Sequence, residues 1–343
     1  MKKLNLAIFG CGDFLRWQAD AIKKSTRVNV AALFDPDGAR ARKYAGQLGG
    51  KLIVNGDDIF ADSSIDAVAL FVPPWIRKGL FLKAAAAGKH AICTKPFGST
   101  AAECEEMLAA AGKAGIKAGI LYGRSADAWF ETVKDLLADG RHGKLALYRQ
   151  DWIHAYPQWN NWATDPKKNG GPFMDAMIHN LNAACYLMGR PVAGSAFFSD
   201  RLAHPDMKCA DTEAMIVNFE GGGVANLFIT WAADLATHSR KGNDREHIDL
   251  FYLVTDKGYR ITRERSESGP LIVVSREGRT EKLPCAPLAA TPYDAFAAHV
   301  DGGTFPRVMA TLAEATRDIT LVRRGRPRGM ISEKTETSHS GEI

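Results

Sequence analysis

Along the first third of the chain, short apolar runs alternate with longer stretches in which apolar residues recur at helical spacing. The runs at 4–9, 28–34, 67–72, 91–93 and 116–121 read as strands. The alanine-rich stretches between them, such as "KGLFLKAAAAGKH" and "TAAECEEMLAAAGKAG", read as helices. Strand and helix in regular alternation predict a doubly wound parallel sheet, because a parallel neighbour can be reached only by a crossover connection. From about residue 144 the texture changes. The segments "LALYRQDWIHAY", "AMIVNFE", "GVANLFITWAA", "IDLFYLVTD", "GYRITRE" and "LIVVSRE" follow one another with turn residues between them, which predicts a mostly antiparallel sheet of at least four strands. One helix, "FMDAMIHNLNAACYLMG", interrupts it, and "PYDAFAAHV" and "MATLAEATRDITLVRRG" supply helices at the end. The expected class is α/β, divided into 1–123 on the parallel sheet, 124–326 on the antiparallel one, and a polar, aperiodic tail at 327–343 expected to be disordered.

Composition narrows the picture without redirecting it. A chain of 343 residues exceeds the size at which one core usually keeps growing, in keeping with two domains. The apolar fraction of 46% and charged fraction of 24% are those of a globular protein, not of a disordered or fibrous one. The net charge of +5 is mild, and its densest cluster, Arg323, Arg324, Arg326 and Arg328, reads as solvated chain rather than a nucleic-acid site. The six cysteines are scattered with no CxxC pair, which argues against a metal site and against a disulfide framework and points to a reducing, cytoplasmic compartment. "MKKLNLAIFG" reads as a first strand rather than a signal peptide, and no apolar stretch is long enough for a membrane span.

Chemistry enters at the strand ends. In "FGCGDFLRWQADAI", Gly10 and Gly12 follow a strand and open a helix, so Gly10, Cys11, Gly12, Asp13 and Phe14 form a turn whose N–H groups suit a pyrophosphate. A bare GxG also serves ligand-free turns. Its weight rises because the next strand ends "AALFD", placing Asp35 to accept hydrogen bonds from an adenosine ribose. Leu15 stands where a third small residue normally lets helix and strand approach closely, so either the helix stands off or Leu15 points elsewhere. Asp35 and Asp37 would repel a 2′-phosphate, favouring NAD over NADP, while Arg40 either stacks on the adenine or is a plain surface arginine.

In "AICTKPFG", an apolar strand stops at Lys95, which is locked in front of a proline and projects from the strand end. In "GGPFMDAMIHNLN", Asp175 and His179 are four residues apart on a predicted helix, on one face. Such a pair can bind and deprotonate a hydroxyl, although a solvated or capping pair has the same spacing. "DWIHAYPQWNNWATDP" adds Trp152, His154, Tyr156 and Trp159, aromatic-rich residues that suit sugar faces and fill interface cores equally well.

With "GCGD", "AGKHAICTKPF", "GGPFMDAMIHNLN" and the late "IDLFYLVTDKGYRI", the chain resembles the Gfo/Idh/MocA oxidoreductases over roughly residues 1–326. The family pattern at the lysine is Glu-Lys-Pro; Thr94 takes the glutamate position, while Lys95 and Pro96 match. Arg77 stands where a histidine is common, and Asn182 where an aspartate is common. The resemblance implies a dinucleotide-binding Rossmann domain followed by an α/β domain whose large, open, mostly antiparallel sheet serves in a dimer or tetramer. It implies hydride transfer between NAD, or NADP, and the hydroxyl-bearing carbon of a sugar, inositol or related polyol. Carried over, Lys95 would touch the nicotinamide ribose and a substrate oxygen, Asp175 would bind a substrate hydroxyl, and His179 would exchange the proton; Pro73 joins the cofactor-binding set. Arg124 and Trp162 match a common family arginine and tryptophan, expected in the substrate pocket or in packing. Two rivals stay open: a catalytically silent protein that senses sugars or nucleotides, and a reductase of a non-sugar such as a dihydrodiol or a linear-tetrapyrrole-like compound. Retention of Lys95, Asp175 and His179 argues against the first.

Overall fold

A computed structural model describes residues 3–155, 162–233 and 248–325; Tyr156, Trp159 and the tail lie outside them. The first unit runs β1 (Leu4–Phe9), α1 (Asp13–Lys24), β2 (Val28–Phe34), α2 (Gly38–Leu48), β3 (Lys51–Leu52), α3 (Asp57–Ala61), β4 (Ala67–Leu70), α4 (Pro74–Ala86), β5 (His90–Thr94), α5 (Ala101–Ala114) and β6 (Ala118–Leu121). All pairings are parallel and the order is β3-β2-β1-β4-β5-β6, so the order of strand addition reverses between β1 and β4, where such sheets bind ligands. The buried runs of β1, β4 and β5 are continuous because helices cover both faces. The apolar pattern missed β3, whose two residues are both exposed.

After α6 (Trp129–Ala138) the second unit places β7 (Leu145–Ile153), a π-helical turn (Phe173–Met177) continuing into α7 (Ile178–Met188), then β8 (Val192–Asp200), β9 (Thr212–Phe219), β10 (Val224–Thr230), β11 (Ile248–Thr255), β12 (Arg260–Ser266), β13 (Gly269–Arg276) and β14 (Arg279–Pro284). These make an eight-stranded sheet in which only the β7–β10 pair is parallel. Alternation is strict where one face is covered: Met215, Val217 and Phe219 of β9 are buried, and Ile216 between them is exposed. The inward residues share a core with Leu181, Ala184 and Cys185 of α7. The run "NLFITWAA" offers Trp231 as an outward candidate, but Trp231 is fully buried with Ala163 and Cys209.

The last helices, α8 (Pro292–Val300) and α9 (Leu312–Gly325), bring the end of the chain back beside the parallel sheet. Tyr293, Phe296, Ala297 and Met309 join Leu6, Ile8, Leu15 and Ile22 in the core on one face of the parallel sheet. Asp294 binds the turn between α1 and β2 through Ser25 Oγ at 2.6 Å and the N–H groups of Thr26 and Arg27 at 2.9 Å. Ala310 pairs with Ile120 at the free edge beyond β6. Residues 293–309 therefore cover that face of the parallel sheet together with α1 and α2. Of the basic cluster, Arg323 donates to the Ser99 carbonyl at 3.0 Å, so it holds α9 to the first unit. No helix among the described residues is long and apolar enough to cross a membrane.

Candidate functional site

The turn after β1 is built for close approach. Gly10 has φ +92°, and a Cβ there would stand 2.4 Å from the Phe71 carbonyl oxygen, so a side chain is excluded by backbone conformation and by space. Gly12 caps α1 with no side chain bonded to the helix's first N–H groups, and a Cβ on it would meet nothing within 4 Å. The positive helix end is thus left free for an anion. Asp35, at the end of β2, accepts from the Cys11 N–H at 2.7 Å and from the Asp37 N–H at 2.8 Å, which ties its carboxylate to the turn. Cys11 is buried, and burial together with Asp35 pushes its thiol up to about 12. Phe14 packs edge-on against Phe71, Asp13 faces Arg16 at 3.6 Å, and Pro73 caps α4. Leu15 points into the core beneath α1. Arg40 is exposed and paired with Asp37 at 3.1 Å.

Lys95 leaves the end of β5 through a cis bond to Pro96 and donates from Nζ to the Asp175 backbone carbonyl in the π turn. The turn that holds it is clamped by Arg77, which is fully buried in α4 and donates to the carbonyls of Pro96, Phe97 and Val72. Burial lowers the Arg77 guanidinium to about 10. Asp175 takes the Asn169 side-chain amide at 3.0 Å, and the π turn itself is capped by buried Glu213, which accepts from the Phe173 N–H at 2.7 Å. The pattern reading missed Asn169 and Glu213 and met Arg77 only as a departure from a family pattern, since nothing local marks a polar residue that will be buried. His179 accepts the Gly123 N–H on Nδ1 at 2.9 Å and packs against Tyr122. Among the described residues no hydrogen bond joins Asp175 to His179: the π turn, wider than an α turn, intervenes, and the Lys95 charge acts on both.

The ionisations follow from this crowding. Burial pushes Lys95 below its ordinary value, Asp175 opposes the shift and Arg77 adds to it. Burial raises the Asp175 carboxyl, with Lys95 and Asn169 pulling it back. Burial, helped by the Lys95 charge, drives His179 well below its ordinary value.

Residues 4–122 match the family described as oxidoreductase family, NAD-binding Rossmann fold, and residues 130–245 match the GFO/IDH/MocA C-terminal domain. The chain belongs to the Gfo/Idh/MocA family. Residues 4–122 carry the NAD-binding Rossmann fold of that oxidoreductase family. The chain is 26% identical over 230 residues to the uncharacterized oxidoreductase YrbE of Bacillus subtilis, covering 65% of this chain and 66% of that one. It is 25% identical over 214 residues to 1,5-anhydro-D-fructose reductase of Ensifer adhaerens, covering 62% and 64%. The matches thus span just under two thirds of the length of these curated relatives. The aldose-aldose oxidoreductase of Caulobacter crescentus, solved with glycerol, has the same fold, with a TM-score of 0.79 at 22% identity over 94% of this chain and 96% of that one.

In this Gfo/Idh/MocA protein two further family positions fall differently. Arg124 is 2% exposed: it donates to the carbonyls of Arg307 at 2.7 Å and Met309 at 2.6 Å, pairs with Glu314 at 3.2 Å and lies over the Tyr186 ring. These contacts knit the short turn at Arg124 to the last helices. Trp162 crosses to the first unit and meets Trp75, two residues beyond Pro73, with ring centroids 5.4 Å apart. Trp152 packs on the larger core and His154 is buried. Among the described residues, no cluster of His, Cys, Asp or Glu is placed to hold a metal ion.

Proposed function

We propose that this oxidoreductase transfers a hydride between NAD and the hydroxyl-bearing carbon of a sugar, inositol or related polyol. The observation that carries the reading is the meeting of Lys95, from the end of β5, with the π turn bearing Asp175, one turn ahead of His179. Because every strand of the first sheet is parallel, the Gly10–Gly12 turn, Asp35, Pro73 and Lys95 all leave from its same edge. When bound, the nicotinamide accepts or supplies the hydride. Asp175 and Lys95 bind and orient the hydroxyl, and Trp162 closes the side of the cleft beside Trp75. The names of two similar proteins, a 1,5-anhydro-D-fructose reductase and an aldose-aldose oxidoreductase, support a carbohydrate-like substrate. All six cysteines are free, which supports a reducing, cytoplasmic setting.

The test is a screen of polyols, inositols, aldoses and their keto forms with NAD(H) and NADP(H), followed at the nicotinamide absorbance. Turnover of a polyol or sugar is the expected result. Cofactor binding with turnover of none of them overturns the enzyme reading in favour of a sensing protein, and turnover of non-sugar alcohols alone overturns the substrate class.

A further inference from the structure

We propose that Lys95, and not His179, exchanges the proton with the reacting hydroxyl, and that His179 is a fixed hydrogen-bond donor through Nε2–H. This deepens the oxidoreductase reading and rests on it. Gly123 points its backbone N–H at His179 Nδ1 over 2.9 Å. A backbone amide only donates, so Nδ1 must hold a lone pair there and the single proton of the neutral ring sits on Nε2. The ring then has no acceptor left for a hydroxyl proton. A second proton would have to enter at Nδ1, turning the contact into two opposed donors, beside the ammonium of Lys95.

That arrangement is held from a distance. Gly123 begins the short turn Gly123–Ser125, and Arg124 in the same turn is anchored to the Arg307 and Met309 carbonyls and to Glu314. Ser125 Oγ also donates to the Tyr122 carbonyl at 2.6 Å. The Gly123 amide is therefore not free to turn away from the ring.

Lys95 has the opposite character. Its Nζ donates one hydrogen to the Asp175 carbonyl whether or not it is protonated, and as a neutral amine it still keeps a lone pair. The charged or titratable groups around it are Asp175 from the π turn, Arg77 from α4 and His179 from α7, one anion against one fixed cation and a neutral ring. In the oxidising direction the hydroxyl O–H bond breaks and an N–H bond forms at Nζ. The carbinol hydrogen leaves with its electron pair to an oxidised nicotinamide, and the alcohol becomes a carbonyl; reduction reverses each change. Asp175 is the competing base, but its carboxylate is already engaged by Asn169.

Two readouts decide it. In protein labelled with nitrogen-15 at histidine, the His179 signals, assigned by their loss in His179→Gln, are expected to show Nδ1 bare and Nε2 protonated from about pH 6 to about pH 9, with no substrate present. A proton on Nδ1, or titration of the ring in that range, overturns the proposal. With the substrate found by the screen, His179→Gln, which keeps a donor, is expected to lower kcat/KM about tenfold and to retain the ionisation in its pH profile. Lys95→Met is expected to lower it by about a hundredfold or more and to lose that ionisation. Asp175→Asn should keep the ionisation and move it to lower pH, since the carboxylate favours the ammonium. Loss of the ionisation in His179→Gln or in Asp175→Asn, with survival in Lys95→Met, overturns the assignment. Absence of any turnover fails the oxidoreductase reading instead, and the histidine signals still decide the protonation pattern.

Discussion

A neutral imidazole packed against an ammonium leaves a mark on stability as well as on chemistry. His179 is held well below its ordinary 6.5 in the folded protein. Between its folded-state ionisation and 6.5 the unfolded chain therefore binds more protons than the folded one, so stability rises with pH in that window and is lost as pH falls below 6.5. His179→Gln removes this contribution, and its melting temperature is expected to fall less than the parent's between about pH 7.5 and about pH 5.5. Parallel melting curves check it; an equal fall in both proteins would show that the ring titrates normally. Asp35 offers a second residue-scale prediction. Its carboxylate faces the glycine turn and stands near Asp37, while Arg40 is drawn off by Asp37 at 3.1 Å. The charge therefore acts on the 2′ position with little opposition. Asp35→Asn keeps an oxygen for the Cys11 amide, and it is expected to narrow the preference for NAD over NADP by about tenfold, a change of one charge at close range. Titration of both dinucleotides into each protein gives the ratio, and tighter NADP binding by the parent would show that a basic group governs the site.

At the scale of elements, the turn from β1 to α1 admits one residue type at its first glycine. Gly10→Ala forces a Cβ onto the Phe71 carbonyl oxygen at 2.4 Å and a side chain into a left-handed conformation that alone costs ~1–2 kcal/mol. The variant is expected to melt lower and to bind NAD at least tenfold more weakly; calorimetry and a binding titration read the two effects, and unchanged affinity would place the dinucleotide elsewhere. This turn, the parallel sheet and Lys95 at its strand end were legible in the sequence because each is specified locally, by apolar runs, glycines and a proline. The π turn was not. "GGPFMDAMIHNLN" reads as one helix, since an extra residue in one turn barely disturbs the apolar spacing, and what fixes it lies outside it, in distant Glu213 and Lys95 and in Asn169 just before it. Arg77 was seen only as a departure from a pattern, while its work, gripping three carbonyls around Lys95, depends on burial. The return of α8 to the first sheet was illegible for the same reason: Asp294 looks like a helix N-terminal acid until the α1–β2 turn arrives beside it.

The whole molecule leaves one large face unaccounted for. Helices cover the inner side of the eight-stranded sheet, whereas register brings Phe198, Ala214, Phe228, Asp151 and Leu250 into a single row across β8, β9, β10, β7 and β11 on the outer side. Phe198, Ile216, Ile248 and Leu250 are all exposed there, four large apolar side chains gathered on one face. In the middle of it Arg149 pairs with Asp151 at 2.9 Å, a polar mark that would fix how a second copy sits. A two-fold pairing of this face buries the same patch on both chains at once, which is why we expect a dimer or a tetramer built on it. The double substitution Phe198→Lys and Ile216→Lys places two like charges per chain across that interface without touching the inner core. Sedimentation is expected to find the parent above 37.3 kDa and the variant at 37.3 kDa, with unchanged secondary structure. Trp231, which the run "NLFITWAA" made an outward candidate, is the contrast: being fully buried, Trp231→Lys should unfold the chain rather than dissociate it. A parent that sediments as a single 37.3 kDa species at micromolar concentration would mean that the exposed row serves something other than self-association.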